Sequence, residues 1–144
     1  MSRADLSGAE LYRAVLKQAQ LRQANLRGAL LQVVAASKVN LQGADLADTQ
    51  WLMANLSAAN LSGANLSGAN LEAAVLTGAN LFLTRLSGTC LKDADFTDSN
   101  WWRARGLTAD QIALLRQKFS PTGNSAAALL QDYQTWLKTA VLAP

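Results

Sequence analysis

Residues 54–81 read ANLSA-ANLSG-ANLSG-ANLEA-AVLTG-ANL, a leucine every fifth residue with alanine two places before it. Stepping by five from Leu6 to Trp101, every position is Leu, Trp or Phe except Ala36. The residue two before each is Ala, or a small substitute such as Val34, Val39, Thr49, Thr84, Thr89 or Ser99. Neither a helix of period 3.6 nor a strand of period 2 selects a strict five. Self-similarity at a fixed interval marks a stacked repeat, in which each unit buries its apolar side only against its neighbours.

These residues resemble the pentapeptide-repeat family and its A(D/N)LxG consensus, over residues 4–103. The resemblance implies an all-β solenoid, a right-handed quadrilateral β-helix with four pentapeptides per coil. Leu and the preceding Ala would point inward and the other three positions outward. Twenty repeats at four per coil make about five coils. With parallel-strand spacing between coils, the rod is on the order of 24 Å long. The family occurs widely in cyanobacteria, and a few bacterial members protect DNA gyrase by imitating DNA. It implies no catalytic residue and no cofactor.

Packing logic agrees. Each buried Leu contributes roughly 1.5–3 kcal/mol of transfer free energy. The small residue at the second inward position keeps a narrow lumen from overfilling. Gly8, Gly28, Gly43, Gly63, Gly68, Gly78 and Gly88 fall where a corner requires positive φ. Gln20, Asn40, Asn60, Asn80 and Asn100 stand twenty apart, predicting a ladder of stacked amides. Ala36 and Trp51 form an expected compensating pair, the indole filling the volume the alanine leaves.

Charge and composition exclude more than they specify. The formal net charge is +3, and the chain has no His. Imitation of duplex DNA needs dense negative charge, whereas Arg13, Lys17, Arg22, Arg27 and Lys38 form a stretch without an acid. Wrapped around a coil, those bases make a ring rather than a stripe tracking phosphates, so nucleic acid is not an expected partner. No His/Cys cluster suggests a transition metal, and Asp93, Asp95 and Asp98 alone are a poor basis for a hard-cation site. Nucleophile–base pairs and Gly-rich phosphate loops are missing, so no enzyme and no cofactor is expected. One cysteine, Cys90, no signal-like N-terminus and no long apolar run lead to the expectation of a cytoplasmic protein without a membrane span.

Outward positions that turn apolar need a reason, because contiguous exposed apolar residues mark covered or partner-binding surface. Leu30, Val33, Leu52 and Met53 cluster over the second and third coils and are the candidate partner-binding residues. Phe82 and Leu83, with Trp101 and Trp102, are the candidate docking site for a cap. After Arg103 the period becomes helical. Thr108 and Gln111 resemble a capping box that opens a helix over about 109–118. A second follows at about 125–141 after Ser120, Pro121 and Gly123. Residues 104–144 thus read as a C-terminal helical cap. The function expected is a non-enzymatic interaction scaffold with an unknown protein partner, the alternative being a DNA-mimicking regulator of gyrase. A homodimer is expected to form, if at all, through the C-terminal helices or by end-to-end stacking of the N-terminal coil.

Overall fold

The computed structural model describes residues 3–142, with side chains through residue 140. Its repeat region is a parallel β-solenoid whose chain returns onto itself every twenty residues. Asp5 pairs with Asn25, Asn25 with Asp45 and Asp45 with Asn65, and the columns that begin at Glu10, Val15 and Gln20 advance in the same way. Pairing is by isolated bridges. No continuous strand forms among the described residues, because two of every five residues are spent turning a corner.

Each pentapeptide accounts for its backbone donors almost completely. In the first repeat, Leu6 N donates to Asn25 O (2.7 Å), Gly8 N to Arg27 O (2.9 Å) and Ala9 N back to Leu6 O (3.0 Å). One coil on, Asn25 N returns a bond to Ala4 O (2.9 Å). The remaining N–H, at Ser7, goes to the Asp5 side chain (3.1 Å). The same side-chain bond recurs from Ser62 to Asn60, Ser67 to Asn65 and Glu72 to Asn70. A buried or half-buried N–H needs a partner, and Asn or Asp supplies it from two residues back. This adds a second role to the amide ladder, which forms in part. Asn40 reaches Gln20 (3.1 Å) and Asn100 reaches Asn80 (3.0 Å), but the recurring task of these amides is closing their own turns.

Corners occur at every fifth residue from Arg3 to Asp98, all with φ between 53° and 70°. Glycine fills seven of them. The others hold non-glycine residues in the left-handed region, Val33 being the one β-branched case. Inside, Leu26, Leu46, Leu66 and Leu86 are fully buried, as are Trp51 and Ala36. The inward polar residues are all satisfied. The Trp51 indole donates to Thr49 Oγ1 (2.8 Å), and Thr84 and Thr89 bond the carbonyls of Leu61 and Leu66.

A 3-10 turn at Trp101–Arg103 ends the solenoid. Helix α1 (Ala109–Phe119) opens on the predicted capping box: Gln111 N donates to Thr108 Oγ1, and Thr108 N donates to Gln111 Oε1. Helix α2 (Ala127–Leu142) starts two residues later than the sequence predicts. Ser125 is held outside it, its hydroxyl donating to Asp98 (2.6 Å) and accepting from Thr122 N (3.1 Å). Val141, where the sequence ends this helix, has a side chain outside those described.

α1 crosses the base of the last coil. Leu115 is buried, the Phe119 ring lies 6.1 Å from Phe96, and Phe119 O accepts the Trp101 indole N–H (3.0 Å). α2 brings Tyr133 and Trp136 onto Trp101 and Trp102, with ring centroids 4.8–6.2 Å apart. Asp132 accepts from the Trp102 indole (2.8 Å) and Arg103 Nε (2.9 Å), and Arg103 Nη2 also bonds it. Phe82 and Leu83 lie outside this contact and remain 47% and 38% exposed. The anchors of α2 reach Trp101 and Trp102, one coil farther on, so the helix does not cover the Phe82 corner as the sequence reading expected.

Candidate protein interface

Leu30 sits on the outer side of a coil, bridged to Glu10 and Gln50. Val33 and Met53 stack at the corner that follows, because Val33 N bonds Leu52 O (2.9 Å). The four candidate residues are therefore neighbours along one edge of the solenoid. Neither helix covers them. Leu30, Val33 and Met53 are 37%, 39% and 61% exposed, and Leu52 is partly buried.

Two costs accompany these side chains. Left-handed backbone costs an L-residue roughly 1–2 kcal/mol, more for a β-branched one, yet Val33 and Met53 occupy it with φ of 58° and 56°. Leu30 stands where Asn or Asp would satisfy the N–H two residues on. Polar residues or glycine would serve the coil better at all three places.

Sequence reading missed two members of this edge, Tyr12 and Val15, which are 57% and 77% exposed. Tyr12 occupies the same corner as Leu52 two coils away, and Val15 the adjoining side. The signal was available as the forty-residue offset from Tyr12 to Leu52. Arg13 lies over the Tyr12 ring, its guanidinium 5.0 Å from the centroid. Around the next corner stand Lys17 and Lys38, both exposed.

The described residues contain no group of three or more His, Cys, Asp or Glu able to hold a metal ion, and no helix long and apolar enough to cross a membrane. A cleft of about 290 Å³ lies where the last coil meets the α1–α2 connection, lined by Thr97, Asp98, Lys118, Ser120 and Asn124 among others. It is open to solvent, its lining includes Phe119, and Asp98 within it is engaged by Ser125.

A twenty-residue rung built from five-residue units, with Leu and Ala inside, defines a class of protein rather than an activity. The family model for pentapeptide repeats matches residues 1–32, 37–72 and 54–98, in eight copies. The chain belongs to the pentapeptide-repeat family, whose solved members imply a right-handed β-helix. It is similar to a pentapeptide repeat protein (Rfr23) from the cyanobacterium Cyanothece 51142, with 28% identity over 65% of this chain and 81% of that one, at a TM-score of 0.57. It is also similar to a pentapeptide repeat protein from the Arabidopsis thaliana thylakoid lumen, with 31% identity over 91% of this chain and 86% of that one, at a TM-score of 0.53. No functionally curated protein matches it significantly.

Proposed function

We propose that this protein is a non-enzymatic interaction scaffold. It is a rod of about five four-sided coils, closed at its C-terminal end by α1 and α2, that presents one apolar edge to a protein partner. The observation that carries this reading is the contiguous exposure of Leu30, Val33 and Met53 beside Leu52, at positions where the coil itself favours polar residues or glycine. A rigid solenoid suits the task because fixed coil spacing holds the side chains in register without an ordering cost on binding.

Imitation of duplex DNA fits less well. It requires a long negative face, and the first two coils carry Arg13, Lys17, Arg22, Arg27 and Lys38. A gyrase supercoiling assay is expected to show neither inhibition nor drug protection.

The scaffold reading is tested by affinity capture from the native host with wild type, Leu52→Asp and Met53→Asp. Each variant should keep its circular dichroism spectrum and lose at least one captured protein. Retention of every captured protein by both folded variants would overturn the assignment of this edge.

A further inference from the structure

The side of the solenoid that adjoins the apolar edge has a charge order that reverses along the rod axis. Its first corner column runs Arg13, Val33, Met53, Ala73, Asp93, linked rung to rung by the bonds of Arg13, Val33, Met53 and Ala73 N to the carbonyls of Gln32, Leu52, Glu72 and Lys92. The order is base, three apolar residues, acid. The neighbouring side column runs Val15, Ala35, Asn55, Val75, Asp95. At the far corner, Lys17 and Lys38 occupy the first two coils and Asp98 the last. Three bases at one end thus face three acids at the other. Two bases also stand at the acid end: Lys92, which pairs with Glu72 of the coil before (2.9 Å), and Lys118 of α1, which lines the clefts that hold Asp93 and Asp98. The Lys92–Glu72 pair is neutral and Lys118 offsets one acid, so the end keeps a net negative charge.

Among the described residues, no ion pair within the chain engages Arg13, Lys17, Lys38 or Asp93. Asp95 holds its charge: partial burial pushes its carboxyl up, but hydrogen bonds from Thr97 and Thr77 outweigh that and bring it below the ordinary value. Such a side repels a parallel copy, base against base and acid against acid. It complements an antiparallel one.

We infer that the occupant of this face is a second copy of the same chain, packed antiparallel across a two-fold axis at the level of Met53 and Asn55. That operation sets Arg13 of one copy against Asp93 of the other, Val33 against Ala73, and Met53 against its own symmetry mate. Lys17 meets the end that carries Asp98. Ala35, Asn55, Ala58 and Gly78 leave the middle low enough for close approach. A self-complementary patch of this kind makes a closed dimer, in which every contact away from the axis occurs twice. The inference rests on the reading of this edge as a protein interface, and it differs from the dimers expected from sequence, which used the C-terminal helices or the rod end.

Sedimentation equilibrium of the full chain at low and high salt tests it, with Arg13→Asp, Asp93→Arg and the double variant. Both positions of substitution are exposed, and unchanged thermal unfolding verifies the fold. The wild type should show a concentration-dependent dimer that weakens with salt. Each single reversal creates two like-charge contacts per dimer and should weaken association by about tenfold or more. The double reversal restores both pairs and should return association to near wild type. A wild type that stays monomeric, or a dimer indifferent to both single reversals, would overturn the inference. The two readings fail separately: a monomeric wild type whose Met53→Asp variant still loses a captured protein sinks the self-pairing and leaves the scaffold standing, whereas capture unchanged by Leu52→Asp and Met53→Asp sinks the scaffold assignment of this edge.

Discussion

Leu6 and Leu66 occupy the same place in nearly the same pentapeptide, Ala-Asp-Leu-Ser-Gly at 4–8 and Ala-Asn-Leu-Ser-Gly at 64–68. Leu66 is fully buried and Leu6 only partly so. The same contrast holds for Leu11 and Leu16 against Leu71 and Leu76. Burial in a solenoid is thus supplied by the coils on either side, not by the repeat's own residues. At the other end the chain solves the problem differently. Phe96 and Trp101, the bulkiest choices for the inward position besides Trp51, are 0% exposed because α1 and α2 lie across them. One end keeps standard leucines in a half-open coil, and the other enlarges its inward residues and covers them with an aromatic lid.

The largest expected effect probes that lid. Trp101→Ala removes a fully buried indole, its tilted contact with Tyr133 and edge-on contact with Trp136, and its hydrogen bond to Phe119 O. It should cost about 3–5 kcal/mol in chemical denaturation, with loss of helical dichroism before the coils unfold. Next comes the paired test of the comparison itself. Leu66→Ala should cost about 2–5 kcal/mol, and Leu6→Ala less than half of whatever Leu66→Ala costs. Equal losses would mean that the first coil is as well covered as the fourth.

Gly106→Ala should come third. Gly106 has φ of 81°, and a Cβ there would lie 2.9 Å from the backbone nitrogen of Ser87. Left-handed backbone alone costs about 1–2 kcal/mol for a non-glycine residue, and the Ser87 backbone cannot move without disturbing the coil. The loss should appear as a lower denaturation midpoint with weakened α1 docking.

Legibility from sequence followed the physics of each position. Inward leucines were readable because burial of one large side chain per side is a constraint every repeat shares. The corner glycines were readable because positive φ favours them, although Val33, Met53 and Leu83 show that other residues fill the same corners. The Asn column is a ladder in part. Asn40 and Asn100 donate amide N–H groups to Gln20 and Asn80 across one coil, while the carbonyl oxygens of Asn40, Asn60 and Asn80 accept the N–H two residues on, a turn-closing role that the ladder reading leaves out. Thr49 beside Trp51 was read only as a small inward residue, yet its hydroxyl satisfies the indole N–H. Phe82 and Leu83 were assigned to the cap because apolar character shows that a residue could be covered, and it does not show how far a helix will reach. Tyr12 and Val15 escaped because they belong to the edge only after residues are aligned by twenties, and the Arg13–Asp93 relation emerges from the same alignment.

The smallest effect concerns the electrostatic latch of the lid. The Arg103 hydrogen bond holds the Asp132 carboxyl below its ordinary value; burial opposes this, and the Trp102 indole bond and the Arg103 charge add to it. A carboxyl whose folded value is depressed contributes stability above its unfolded value of about 3.9, and loses it as pH falls through the folded value. Arg103 stays charged throughout, so acid removes only the carboxylate side of the latch. Both side chains are about one third exposed, which screens the interaction toward the range of surface pairs, about 1 kcal/mol or less. Between pH 7 and 5 tryptophan fluorescence should therefore be flat, and below about pH 4 it should change as α2 loosens from Trp102. Asp132→Asn keeps an oxygen for the Trp102 indole but removes the charge. It should lower stability at pH 7 by that small amount and flatten the acid limb, whereas an unchanged acid limb would assign the transition to other carboxylates such as Asp95, whose value is also lowered.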